Sequence, residues 1–234
     1  MLFCYLRLCQ IDLRLRCSEA CSKRKVIFQD MFKNSNDSAE KGEHISQRKE
    51  LLRLSQNAKD KKLRGTEKLQ QSREIVQKIR HHPCWNESQS LLGFMPMRDE
   101  PDIFPLLQDI LERGKNLYLP QYQSESKTYS PVLIRDLKYD LIPGKFGILE
   151  PNPRCSIVNT SHMDLTLIPG LAFDSHGWRL GRGKGFYDRL LAKLDGVRFG
   201  VALNHQWLES VPHETLDQKM DWIITPSIVA KAFD

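Results

Sequence analysis

No apolar run in the 234 residues approaches the roughly 20 needed to span a bilayer, which excludes a helical membrane protein. Cysteine is sparse and poorly spaced. Of six, four (Cys4, Cys9, Cys17 and Cys21) crowd the first 21 residues as C-x4-C-x7-C-x3-C. That is neither a disulfide framework nor a standard zinc arrangement, and no histidine is near to complete one. A soluble, cytoplasmic protein in a reducing compartment is expected. Two nucleotide motifs are also missing. A Walker loop needs Gly-Lys-Ser/Thr, but Gly185 follows Lys184; a dinucleotide fingerprint needs glycine where Phe186 stands. There is no internal repeat, and no Ser-His or Cys-His arrangement suited to a covalent nucleophile.

With 40% apolar residues, the chain can bury the core of one domain of roughly 150–200 residues. The net charge of +6 is concentrated. Residues 45–82 hold eleven Lys/Arg against four Asp/Glu, so this segment carries +7. A basic helix suits a phosphate-bearing partner, and equally a solvated helix face. Residues 1–44 differ from the rest and are expected as an extension outside the fold. Asp12, Glu19 and Asp30 argue against a transit peptide, 34–44 looks like linker, and Met31 offers an alternative start. The domain then covers 45–234.

Helical periodicity runs from about Ile45 to His82 with a break at Gly65. Leu51, Leu52 and Leu54 form one apolar stripe, and Leu69, Ile75, Val76 and Ile79 the next. SLLGFMP (90–96) predicts a buried strand. Ile103, Leu106, Leu107, Ile110 and Leu111 follow at helical spacing, between an Asp102 N-cap and a Gly114 C-cap. NLYLPQY and SPVLIRDL read as strands, and LIPGKFGILEPNP as a loop. DLTLIPGLAF is a strand, 185–195 a helix and RFGVALN a strand. WLESVP reads as a short helix or turn and DWIITP as the last strand. The alternation predicts a three-layer α/β fold with a mostly parallel sheet flanked by helices.

In such folds ligands bind beyond the carboxyl ends of strands, and LTLIPGLAFDSHGWRLGRGKGFYDRLL has that layout. Gly181, Gly183 and Gly185 let backbone N–H groups face an anion, with Arg179, Arg182 and Lys184 among them and a helix N-terminus behind. A flexible surface turn would look similar. Asp188 tips the balance toward a ligand, because a carboxylate beside a phosphate cradle calls for an intervening cation such as Mg2+. Lys49 and Arg53, at i and i+4, could grip one polyphosphate from a single helix face. Glu100 lies in the loop after the first strand.

KELLR (49–53), MPMRDEPDI, GKFGILEP, IPGLAFDSHGWRLGRGKGFYD and VPHETLDQKMD, in this order over about 48–226, resemble the 5-formyltetrahydrofolate cyclo-ligase family, also called methenyltetrahydrofolate synthetases. The resemblance implies a fold like that of sugar-phosphate isomerases and CoA transferases, and ATP- and Mg2+-dependent conversion of 5-formyltetrahydrofolate to 5,10-methenyltetrahydrofolate. It implies ATP binding by Lys49, Arg53 and the run Arg179, Leu180, Gly181, Arg182, Gly183, Lys184, Gly185, Phe186 and Tyr187. Met95, Glu100 and Phe146 would hold the folate, with Arg182 to Phe186 near its formyl end; Asp188 and Asp217 would serve Mg2+. Lys184, Arg182 and Tyr187 would be catalytic. A monomer, without nucleic-acid or membrane partners, is expected. Three departures stand out: the 44-residue lead, Phe186 for the first tyrosine of the usual Tyr-Tyr-Asp, and Arg64 or Thr66 where serine commonly follows the first helix. Two other readings differ in what they require. A sugar-phosphate isomerase or CoA transferase would not need ATP. An RNA-binding protein would show steep salt dependence, but the basic helix lacks interleaved aromatics.

Overall fold

A computed structural model describes residues 38–144 and 148–233, with side chains from His44 onward. By internal contacts the chain divides into Met1–His44 and Ile45–Asp234. The expected extension, including Met31 and the cysteine cluster, lies outside the described residues up to 37.

Helix α1 spans Ser38–Asp60 and α2 spans Gly65–His81. The expected linker 34–44 is thus helical from Ser38, in keeping with the good helix formers Ala39, Glu40 and Lys41. A short α3 (Pro83–Glu87) precedes β1 (Ser90–Leu92). Helix α4 (Phe104–Glu112) ends near the expected residues: its N-cap is Ile103 rather than Asp102, whose Oδ1 accepts from the Phe104 N–H at 3.0 Å from one residue further out, and Gly114, with φ +69°, follows the C-cap Arg113. Strands β2 (Asn116–Gln123) and β3 (Thr128–Ile134) form a hairpin. The stretch expected as a loop contains a small antiparallel ribbon, β4 (Leu141–Pro143) with β5 (Leu149–Pro151). Then come β6 (His162–Pro169), the short pair β7 (Ala172–Phe173) and β8 (Arg179–Leu180), α5 (Phe186–Leu191) and β9 (Asp195–Val201). Helix α5 is shorter than the expected 185–195. A single 3-10 turn (Asn204–Gln206) stands before WLESVP, which is not helical. DWIITP contains β10 (Trp222–Ile224) but is not the end of the sheet, because β11 (Val229–Lys231) folds back on it.

The seven-stranded sheet has the order β11-β10-β9-β6-β1-β2-β3. Its five inner strands pair in parallel, and the two edge strands are antiparallel. Inner strands are covered on both faces, which explains why their buried stretches, such as Leu91–Leu92 of β1 and Leu167–Ile168 of β6, have apolar neighbours in succession. Leu165 and Leu167 of β6, Phe199 and Val201 of β9 and Leu117 and Leu119 of β2 are fully buried with Leu106, Leu107 and Ile110 of α4.

The two N-terminal helices differ from their apolar patterns. Leu51 and Leu54 are 56% and 59% exposed, while Lys49 and Gln56 of the same helix are buried. Helix α1 turns a polar face inward, and only Leu52 of the expected stripe packs against the body. On α2, Ile75, Val76 and Ile79 are buried as expected, but Leu69 is exposed. Its inward places nearer the N-terminus belong to Gln71 and Ser72, whose side chains accept from the Asn204 and Asp102 N–H groups.

Candidate active site

The turn after β7 is built by one carboxylate. Asp174, almost fully buried, accepts from the His176 and Trp178 N–H groups through Oδ1 and from the Val211 N–H through Oδ2. Gly177 takes φ +82° there, and a Cβ would fall 2.4 Å from the Met220 carbonyl oxygen. This turn sends β8 back into the glycine loop. Gly183 and Gly185 have φ +92° and +61°, a region that favours glycine, so the alternation of glycines with cations serves the backbone as well as an anion. Because α5 has only six residues, positive charge at this loop comes mainly from side chains.

Beyond the carboxyl ends of β1, β2 and β6 lies a cavity of about 1170 Å3. That exceeds the usual 300–1,000 Å3 of a site for one drug-sized ligand. The structure brings Lys49, Arg53, Met95, Glu100, all of Arg179 to Asp188, and Asp217 to its wall. Phe146 lies outside the described residues.

The cations of this wall differ in their partners. Lys49 Nζ donates to Glu214 Oε2 (2.6 Å) and Asp217 Oδ2 (2.7 Å). Arg53 Nε donates to the Gly181 carbonyl (3.0 Å), tying α1 to the glycine loop. The Arg179 guanidinium is 4% exposed and engaged by protein: it donates to Asp188 Oδ1 (3.0 Å) and the Pro169 carbonyl (3.4 Å), and lies 5.5 Å from the Tyr187 ring centre. Arg182 Nη2 donates to Asp99 (2.7 Å) and Glu100 (3.2 Å). Lys184 is exposed and, among the described residues, has no carboxylate within ion-pair reach. It is therefore the loop cation best placed to meet a phosphate. Leu180 packs its side chain with Leu171 and Val211, so only its backbone can serve a ligand.

Glu100 is 5% exposed; burial pushes its carboxyl up, opposed by the Met97 N–H on Oε2 and by Arg182. A buried acceptor of this kind suits a ligand presenting amino and ring N–H groups. Burial, and next the charge of Glu100, pushes the Tyr187 phenol well up, so it stays protonated and keeps an O–H to donate in a hydrogen bond. Tyr122, Tyr129, Phe186 and Tyr187 form a continuous aromatic wall, with neighbouring ring centres 5.0–6.3 Å apart. Phe186 packs in that wall against Tyr122 and Tyr129, with the Arg189 guanidinium 5.3 Å and Lys184 Nζ 5.8 Å from its ring centre.

The residues fit a magnesium ion shared with a polyphosphate. Among the described residues no three ligating side chains cluster tightly enough to hold a metal alone. Asp188 and Asp217 each have one oxygen engaged by protein, Asp188 Oδ1 by Arg179 and Asp217 Oδ2 by Lys49 and the Glu214 N–H. Their other oxygens make no hydrogen bond among the described residues. One or two carboxylates completed by phosphate oxygens and water is the habitual environment of Mg2+.

Sequence reasoning missed Asp99, Glu214, Tyr122 and Tyr129. Glu214 stands three residues before Asp217 in VPHETLDQKMD and Asp99 adjoins Glu100, so adjacency was the available signal. The two tyrosines come from the edge hairpin, whose register could not be foreseen.

Residues 40–226 match the model of the 5-formyltetrahydrofolate cyclo-ligase family. The chain is 29% identical over 191 residues to the mouse 5-formyltetrahydrofolate cyclo-ligase, covering 77% of this chain and 94% of that one. It is 32% identical over 203 residues to the mitochondrial 5-formyltetrahydrofolate cyclo-ligase of Arabidopsis thaliana, covering 75% and 72%. The NMR structure of 5,10-methenyltetrahydrofolate synthetase from Aquifex aeolicus superposes with a TM-score of 0.71 at 32% identity, covering 80% of this chain and 93% of that one. Among the described residues no helix is long and apolar enough to cross a membrane.

Proposed function

The chain belongs to the 5-formyltetrahydrofolate cyclo-ligase family, and from that premise we propose that it closes 5-formyltetrahydrofolate to 5,10-methenyltetrahydrofolate at the expense of ATP, with Mg2+. The observation that carries this reading is the polarity of the cavity. A buried carboxylate, Glu100, stands at one part of the wall, and a glycine loop with Lys184, Asp188 and, beside it, Asp217 at another. Arg182 joins the two.

In this reading Glu100 accepts from the amino and ring N–H groups of the pterin, Met95 and Phe146 pack against the folate, and the aromatic wall flanks it. Lys49, Arg53 and the loop N–H groups hold the triphosphate. A formamide oxygen is a poor leaving group, so the γ-phosphoryl passes to it, giving an imidate phosphate. N10 then attacks the formyl carbon and phosphate leaves as the five-membered ring closes. Mg2+ held by Asp188 and Asp217 would neutralise phosphate charge. Lys184 and Arg182 would stabilise charge on the transferring group, and Tyr187 would donate a hydrogen bond. Such a reaction needs positioning and charge neutralisation rather than a protein nucleophile.

An isotope experiment tests this route. With 18O in the formyl group, the label should appear in inorganic phosphate, one atom per turnover. Label released to water instead would overturn the phosphorylation step.

A further inference from the structure

The turn 97–100 is tied down from three sides. Lys68 of α2 donates to the Met97 and Arg98 carbonyls at 3.3 and 2.6 Å. Gln206, fully buried, donates to the Asp99 carbonyl at 3.2 Å, and the Asp102 N–H just beyond is held by Ser72 Oγ. Within the turn, the Glu100 N–H returns to the Met97 carbonyl and the Met97 N–H to Glu100 Oε2. The side chain of Asp99 is thus presented from a fixed backbone, and it reaches 83 residues along the chain to Arg182 Nη2 at 2.7 Å. The same nitrogen reaches Glu100 at the longer distance of 3.2 Å.

Arg182 is 40% exposed and follows a glycine, so the loop alone would leave its guanidinium free to sample many rotamers. Two carboxylates on one rigid turn remove that freedom. They are not equivalent, because Glu100 is the buried acceptor that a pterin would claim. A ligand donating to Glu100 competes with Arg182 for its oxygens, whereas Asp99 stays available.

We propose that Asp99 is a positioning residue for Arg182, holding the guanidinium between the folate and phosphate parts of the cavity while substrate occupies Glu100. The inference rests on the roles given above to Arg182 and Glu100. It makes Asp99 matter for turnover rather than for binding.

Asp99→Ala and the shape-preserving Asp99→Asn test it, with steady-state kinetics in 5-formyltetrahydrofolate and MgATP and an unfolding midpoint for each variant. Displacing Arg182 should lower kcat by about 10- to 100-fold while both KM values stay within about threefold. In an Arg182→Ala background, Asp99→Ala should cause no further loss, since its effect runs through the missing arginine. A kcat within about twofold of the parent for both Asp99 variants, with Arg182→Ala strongly impaired, would overturn the role of Asp99 and leave the functional reading intact. Equal losses from Asp99→Ala with and without Arg182 would also overturn it. Wild-type turnover by Arg182→Ala would instead contradict the functional reading on which the inference stands.

Discussion

Lys49 Nζ lies 2.7 Å from Asp217 Oδ2, across 168 residues of sequence, and 2.6 Å from Glu214 Oε2. Phosphate at this lysine must compete with both acids. Lys49→Ala should therefore raise KM for ATP roughly 10- to 100-fold, the worth of one charge-assisted hydrogen bond. Glu214→Gln removes one competitor and should lower that KM severalfold. A higher KM for ATP in Glu214→Gln would show that Glu214 assists nucleotide binding rather than competing with it.

Lys184→Ala should reduce kcat by at least about 100-fold with an unchanged unfolding midpoint, because the side chain is exposed and has no ion pair among the described residues. Asp188→Ala should abolish turnover too, but at a stability cost. It leaves the buried Arg179 guanidinium without its carboxylate, a loss of up to about 3 kcal/mol. Denaturant titration of the two variants separates them; equal midpoints would contradict the assigned Arg179–Asp188 pairing.

Much of this was legible in the chain. Helix α4 was readable to within a residue of its caps because Asp102 and Gly114 act beside its ends, although Ile103 and Arg113 take the cap positions themselves. The inner strands were readable because burial on both faces leaves them short, mainly apolar runs bounded by turn residues. Helix α1 was misread for a physical reason: periodicity assumes that a helix buries its apolar side, whereas α1 presents Lys49 and Arg53 to the cavity and leaves Leu51 and Leu54 outside. The glycine loop and its cations could be seen directly. The pairing of Arg182 with Asp99, and of Lys49 on α1 with Glu214, could not, because each depends on a turn brought up from far along the chain.

His82 gives a pH dependence of stability. Its ring is buried between Phe199 and Trp222, and Nδ1 accepts from the Cys84 N–H at 3.2 Å, which requires that nitrogen to be unprotonated. Burial holds its pKa below the ordinary 6.5. The folded state thus binds a proton less readily than the unfolded chain. The contribution is complete above about pH 6.5 and is lost as pH falls through the lower folded value. The urea midpoint should drop from pH 7.5 to 5.5, and His82→Asn should flatten that drop. An equal drop in the variant would assign the dependence elsewhere.

Gly183 tests the loop geometry. Alanine at φ +92° is strained by about 1–2 kcal/mol, and its Cβ would sit 3.2 Å from Arg53 Cζ. Gly183→Ala should raise KM for ATP about tenfold while global stability falls by no more than that strain. An unchanged KM would mean that the loop does not need this conformation to bind nucleotide.

The central claim is tested most directly by mixing the purified protein with 5-formyltetrahydrofolate and MgATP and following the near-UV absorbance of the methenyl product alongside ADP. The account predicts that product appears only when folate, ATP and Mg2+ are all present, with one ADP formed per product. Product formed without ATP, or neither product nor ADP from the complete mixture, would contradict it.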